Sequence, residues 1–253
     1  YGLSAAADGN TFPWIFNFPA TYWDGASIML KYIGGYDMSG LNGKKIVLLH
    51  LDHPYGKEPI PFFKKLSKEY GYSFISIPVG LKEMQNQSAQ WLQIRREKPD
   101  YVLMWGWGAM NAGAVKEAVK TRFDMSRFIG IWWSGHDDDL MVAGQKAKGY
   151  KALSLNIPGR YPVIDDIEKF VINKGLSKIK NKNIIYRNFY TRGVMISMLN
   201  AEAIRTAQKH FKTSKVNAEQ VRWGFENLNI TQERLSALGM SGMIYPIQTS
   251  CSD

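Results

Sequence analysis

This sequence predicts an α/β fold built on a doubly wound parallel sheet, and three observations carry that expectation. Four runs rich in β-branched and large apolar residues start at positions 45, 73, 101 and 128, a recurrence of 27 or 28 residues. Segments of helical periodicity fill the intervals between them. The runs are almost continuously apolar rather than alternating, as strands covered by helices on both faces must be. Parallel neighbours joined through helices need right-handed crossovers, and the recurrence is the length of one crossover.

The elements follow in order. A helix is expected over 22–32, then a first strand over 45–51, Lys-Ile-Val-Leu-Leu-His-Leu. A helix over 60–70 places Ile60, Phe62, Phe63, Leu66 and Tyr70 at helical spacing, and the second strand occupies 73–79. A helix over 88–96 carries Ala89, Leu92 and Ile94 ahead of the third strand, 101–105. The next helix, 112–123, has Ala114, Val115, Ala118 and Val119, and the fourth strand is expected over 128–133. A helix over 138–148 and a fifth strand over 151–155 complete a unit of about residues 22–157. The pattern changes at Pro158, Gly159 and Pro162. Beyond them lie a short amphipathic helix over 163–173, a long one over 186–211 and another over 217–228. The last opens on Asn217-Ala-Glu-Gln220, a pattern like a capping box. A strand is expected over 243–247, so this second part has almost no sheet of its own.

Composition narrows the function classes. The chain has 253 residues and 28.8 kDa, one large domain or two small ones, with 45% hydrophobic and 21% charged residues, which excludes wholesale disorder. No window holds ~18 uninterrupted apolar residues, so no transmembrane helix is expected; the best stretch, 193–207, is broken by Asn200, Glu202 and Arg205. The single cysteine, Cys251, allows no internal disulfide and has no paired histidine, so an inert thiol is expected. The start, Tyr-Gly-Leu-Ser-Ala, lacks a Met and a signal-peptide pattern and reads as a processed chain or a fragment. Lysine and arginine number 32 against 22 acids, a net charge of +10. The densest basic group is Lys174, Lys178, Lys180 and Lys182. It has no interleaved stacking platform and no nucleic-acid motif, so a solvated basic face or connector is expected; the functional alternative is steering of an anionic ligand, partner or surface.

In open parallel sheets, ligands bind at the carboxyl ends of the strands. That rule selects the strand ends Leu51-Asp52-His53-Pro54-Tyr55-Gly56, Trp105-Gly106-Trp107-Gly108 and Trp133-Ser134-Gly135-His136. Aromatic rings, glycine and small polar groups together suit a small organic ligand. Trp105 and Trp132, inside expected strands, read as core, whereas Trp107 and Ser134 read evenly as core or as ligand contacts. Sharper chemistry fails. Gly106-Trp-Gly-Ala-Met-Asn-Ala-Gly113 starts like a dinucleotide fingerprint, but its third glycine is late and no phosphate lysine follows, so no cofactor is expected. His50 and His53 have poor geometry for a shared metal, and Asp137, Asp138 and Asp139 read as an N-cap and dipole-favourable charges. Ser134-Gly135 lacks the hydrolase elbow. Without an acid, base and nucleophile set, binding is expected rather than catalysis.

Four segments carry a resemblance. Lys44-Lys-Ile-Val-Leu-Leu-His-Leu-Asp-His-Pro-Tyr55-Gly56-Lys57, Pro13-Trp-Ile-Phe-Asn17 followed by Trp23-Asp-Gly-Ala26, Trp91-Leu-Gln-Ile94 with Lys98-Pro-Asp-Tyr-Val102, and Ala143-Gly144 through Gly149-Tyr150 occur in order and spacing. Together they resemble type I periplasmic solute-binding proteins, and more narrowly those of the branched-chain (Leu/Ile/Val-type) amino-acid ABC transporters. The resemblance implies a two-lobed α/β fold with Rossmann-like parallel sheets, the ligand held in a cleft by hinge closure. Residues 1–21 would be a first-lobe segment and hinge, 22–157 a complete second lobe, and 158–253 a partial return to the first, the family's opening section being missing. It implies no enzyme but an extracytoplasmic, periplasmic binder of a small carboxylate, an amino acid or an aromatic or organic acid. ABC permease subunits would be its partners and its only link to the membrane; a ligand-sensing receptor or regulator domain of the same fold is the alternative, and an α/β enzyme with no recognisable catalytic set the next. It also implies site residues: Tyr55 as the cleft tyrosine, Tyr190 as a cleft aromatic, and Ser4 and Ala5 near a loop that contacts carboxylates. Ser134 falls where amino-acid binders place a carboxylate for the ammonium group, which points away from an α-amino acid. Trp107 joins them from the strand-end rule, and the Trp-rich segments at 105–107 and 132–133 resemble members associated with aromatic or other carboxylate solutes.

Overall fold

The computed structural model describes residues 2–250. The chain divides into two compact units, Tyr1–Ser154 and Leu155–Asp253. In the first, a 3-10 turn over Ser4–Ala7 precedes α1 (Tyr22–Gly34), β1 (Lys45–Leu51), α2 (Pro54–Lys57), α3 (Ile60–Tyr70) and β2 (Ser73–Val79). Then come α4 (Ser88–Glu97), β3 (Tyr101–Trp105), α5 (Ala109–Lys120), β4 (Phe128–Gly130), α6 (Asp137–Met141) and β5 (Lys151–Ala152). The strands form one parallel sheet in the order β2-β1-β3-β4-β5. The first three have the bounds their apolar runs predict, with Lys45 opposite Ser73 and Ile46 opposite Tyr101.

Burial explains why this arrangement holds. β1 is central, and its residues 46–51 are buried on both faces. One face packs Val47, Leu49, Val102 and Met104 against Trp91 and Ile94 of α4 and Ala114, Val115 and Ala118 of α5. Each of the large aliphatic side chains among them, withdrawn from water, contributes about 1.5–3 kcal/mol. On the other face Trp105, Phe63 and Tyr22 meet edge to face, with centroids 5.9 and 6.0 Å apart. Helix α1 starts on a full capping box: Thr21 Oγ1 accepts from Asp24 N, and Asp24 Oδ2 accepts from Thr21 N at 2.7 Å.

Several elements are shorter than expected. β4 ends at Gly130, and Trp132–Ser134 form a 3-10 turn closed by Ser134 N donating to Ile131 O at 2.7 Å. Apolar character alone does not distinguish such a turn from a strand. Trp132 is nevertheless buried, stacked on Tyr22 at 5.2 Å. β5 covers two residues rather than five. The helix expected over 138–148 breaks into α6 and a 3-10 turn, Gly144–Ala147, because Gly144 takes φ +53. The cap of α6 is His136, and Asp137, Asp138 and Asp139 fill its first turn.

The second unit holds α7 (Pro162–Ile167), which widens into a π-helical turn, Glu168–Ile172, and then α8 (Asn188–Phe211) and α9 (Ala218–Glu226). β6 (Asn229–Ile230), α10 (Gln232–Ala237) and β7 (Ile247–Gln248) complete it. Asn217 makes the expected capping box with Gln220. The strand expected over 243–247 is confined to Ile247–Gln248, which pairs antiparallel with β6. A bidentate ion pair, Arg234 to Glu202 at 2.6 and 2.8 Å, ties α10 to α8. Cys251 lies outside the described residues. Among them, no helix is long and apolar enough to cross a membrane.

Candidate functional site

The chain leaves β1 for β2 on one side and returns to β3 on the other, so the sheet order reverses at β1. Loops leaving two strands at such a point diverge and open a crevice at their carboxyl ends. Tyr55 and Trp107 stand on those two loops. Helix α2 starts directly after β1, with Pro54 in its first turn and His53 Nδ1 accepting from Tyr55 N at 3.3 Å. Gly56 is obligatory there, since a Cβ would overlap Leu51 O. Tyr55 is thereby held edge-on to Tyr22 at 5.3 Å and to Trp107 at 6.4 Å, and its hydroxyl donates to Gly106 O at 3.1 Å. Burial raises its phenol pKa well above 10, so it acts as a neutral donor. Tyr22 is buried, and its hydroxyl accepts from Trp133 Nε1 at 2.9 Å. Trp107 is 57% exposed, so its ring is a surface rather than core.

Ser134 is different. It is buried, and Oγ accepts from Gly106 N at 3.2 Å. Gly106 O and Asn111 Oδ1 both lie 3.1 Å from Oγ, but a hydroxyl has one proton. Gly106 O already accepts from Tyr55, whereas Ser134 is the one donor that reaches Asn111 Oδ1 among the described residues, which assigns the Ser134 proton to Asn111. Asn111 Nδ2 in turn donates to Trp133 O and to Asp139 Oδ2, each at 2.9 Å. Tyr150 donates to Ser134 O at 2.7 Å. Burial raises the Asp139 carboxyl above its ordinary value, and the Asn111 bond pulls it back. These bonds join Gly106, Asn111, Trp133, Ser134 and Asp139, and the Ser134 hydroxyl is spent within them.

Ser4 and Ala5 lie on the 3-10 turn at the start of the chain. Ser4 N donates to Glu58 Oε1 at 3.1 Å, Ser4 Oγ accepts from Trp23 N at 3.2 Å, and Ala5 is exposed. Glu58 follows α2 directly; burial raises its carboxyl above the usual range, and Oε2 has no hydrogen-bond partner among the described residues. Tyr190 is half-buried on α8, in the second unit. The structure therefore brings Tyr55, Trp107 and Ser134 to one sheet edge, and ties Ser4 to the residue after α2. Sequence reasoning missed Tyr22, Asn111, Asp139, Tyr150 and Glu58. Asn111 had a signal, a polar residue in the first helical turn after a strand-end glycine loop. His50 is buried, with its ring nitrogens within hydrogen-bond distance of Leu51 O and Ser76 Oγ. No group of three or more His, Cys, Asp or Glu is placed to hold a metal among the described residues.

Comparison with known proteins places this architecture. The model of a family described as periplasmic binding protein matches residues 1–251. The chain belongs to the periplasmic binding protein family. A crystal structure described as an ABC transporter permease from the Pseudomonas fluorescens group superposes on this periplasmic binding protein with TM-score 0.88 and 36% identity, over 99% of this chain and 61% of that one. A branched-chain amino acid ABC transporter protein from Thermus thermophilus, with bound valine, gives TM-score 0.73 and 23% identity over 89% and 56%. A solute-binding protein from R. palustris in complex with benzoate gives TM-score 0.64 and 16% identity over 98% and 64%. The chain thus spans about three fifths of the length of these structures. No curated protein matches it significantly.

Proposed function

We propose that this periplasmic binding protein is the solute-capturing component of an ABC importer, working on the extracytoplasmic side and delivering its solute to permease subunits. The solute is a small carboxylate with an apolar or aromatic body. The carrying observation is the sheet edge itself: Tyr55 and Trp107 offer ring faces, while the Ser134 hydroxyl is taken up by Gly106 and Asn111. An α-amino acid needs an anionic or acceptor-rich partner for its ammonium group, and Ser134 stands at the position that would supply it. The benzoate-bound neighbour supports an aromatic acid, and the valine-bound one keeps amino acids within the comparison. In this reading Tyr55 and Trp107 touch the solute, Ser134 supports them from beneath, and Tyr190, Ser4 and Ala5 keep the roles the resemblance implies. Residues 22–157 serve as the complete lobe and 158–253 belong to the other, while 1–21, which fall in the first compact unit with Ser4 bonded to Glu58, are the segment the resemblance assigns to the first lobe and hinge. The mechanism is capture without covalent chemistry; no nucleic acid takes part.

The test is the thermal midpoint against leucine, valine, glutamate, benzoate-type acids and short dicarboxylates. A ligand at about 100 times its Kd adds about 2.7 kcal/mol, which is roughly 5–10 °C for a chain of this size. A shift with the benzoate-type acids is expected. A shift confined to leucine and valine would overturn the aromatic-acid assignment, and a cooperative transition moved by none of them would overturn the capture of a small carboxylate.

A further inference from the structure

The segment that follows α7 has a composition that solute capture does not use. Residues 169–182 hold five lysines, Lys169, Lys174, Lys178, Lys180 and Lys182, and no aspartate or glutamate, so they carry +5 of the chain's net +10. None of the five pairs with a carboxylate among the described residues; Lys182 Nζ donates to Asn173 Oδ1 at 2.8 Å. The acids just before them are partly engaged elsewhere. Asp165 pairs with Arg160 at 3.5 Å and Glu168 accepts from Tyr186 at 2.6 Å, while Asp166 is exposed.

Large apolar side chains stand among these lysines. Phe170 is 48% exposed and Leu176 73%, and Val171 is exposed beside them. Lys169 and Lys174 flank the Phe170 ring with Nζ 4.9 and 5.8 Å from its centroid. The backbone fixes the arrangement. The π-helical turn keeps Ile172 buried, Asn173 N donates to Glu168 O at 2.8 Å, and Gly175 turns the chain at φ +72. Leu176 N donates to Val171 O at 3.0 Å, which holds those two residues side by side.

We propose that residues 169–182 form a docking surface for a bilayer carrying anionic phospholipids, with Phe170, Val171 and Leu176 entering the interface and the lysines meeting the headgroup phosphates. Apolar residues ringed by lysine are what such a surface requires. A protein partner fits less well. All five cations are lysine, which protein interfaces deplete, and none is arginine, which they enrich. Lysine is a point charge suited to a diffuse field, whereas arginine's fork suits a defined carboxylate.

The whole chain would be mixed with vesicles of phosphatidylcholine alone and with vesicles also containing phosphatidylglycerol, and the bound fraction measured by sedimentation. Binding is expected only to the anionic vesicles and should fall as salt is raised. Each lysine removed near an anionic surface weakens binding about fivefold, so K174Q/K178Q/K180Q should lose roughly 100-fold. The triple Lys→Arg variant should retain binding, and F170S/L176S should weaken it at unchanged charge; circular dichroism checks that each variant folds. Equal binding to both vesicle types, no binding to either, or no loss in the triple variant would overturn the proposal. Tighter association with polyglutamate than with anionic vesicles would also overturn it, in favour of an acidic polypeptide.

Discussion

Replacing Ser134 by alanine separates a supporting role from a ligand contact. The hydroxyl is the acceptor for Gly106 N–H at 3.2 Å and the donor to Asn111 Oδ1 at 3.1 Å. Ser134→Ala removes one Oγ and leaves both buried partners without it. An unmet buried polar group costs about 1–3 kcal/mol. The two losses share one network and do not add fully, so about 2–4 kcal/mol is expected. Stability changes of this size shift the midpoint by roughly 4–16 °C in a chain of this length. The assay is thermal unfolding without ligand, repeated for Asn111→Ala and for the double variant. The double variant should lose less than the sum of the singles, because the broken bond is shared. A midpoint for Ser134→Ala within about 1 °C of the parent, equivalent to well under 1 kcal/mol, would refute the supporting role. If solute affinity then fell as well, Ser134 would be a direct contact.

Three further outcomes follow from the same structure. Trp107→Ala should leave stability within about 0.5 kcal/mol, as surface changes do, yet weaken solute binding; calorimetric titration with the ligand found by thermal shift checks this. Gly130→Ala should destabilise by about 1–3 kcal/mol in urea unfolding, because the new Cβ would overlap Tyr150 Oη and lie 2.7 Å from Ser134 Cβ. Burial lowers the His50 pKa from its ordinary 6.5, so the folded state favours the neutral ring. Its contribution is therefore complete above 6.5 and is lost as pH falls through the lowered folded value. The parent midpoint should drop over that window relative to His50→Gln, and parallel curves would contradict this.

The sheet was legible where chemistry and burial coincide. The runs at 45–51, 73–79 and 101–105 are strands with those bounds because their apolar residues meet helices on both faces. The fourth run misled because Trp132 and Trp133 are as apolar as a strand, yet their rings are needed at Tyr22, which only a turn allows. Tyr55 and Trp107 were legible from the strand-end rule. The network beneath them was not: Asn111 and Ser134 lie 23 residues apart and Gly106 and Ser134 lie 28 apart, so only the folded register of β3 and β4 joins them. Glu58 carried no pattern either, because its partner Ser4 is 54 residues away.

The contrast between the exposed Trp107 ring and the buried Ser134–Asn111 bond has a consequence for how this protein can change. The exposed ring makes no side-chain hydrogen bond among the described residues and meets Tyr55 edge-on, so it can be exchanged without breaking one, and recognition can drift while the scaffold keeps its rigidity. Ser134 and Asn111 lack that freedom, since altering either opens the lattice that aims the loop. A library randomised at 107 should therefore yield many folded members with different solute preferences, and one randomised at 111 or 134 mostly weakened folds.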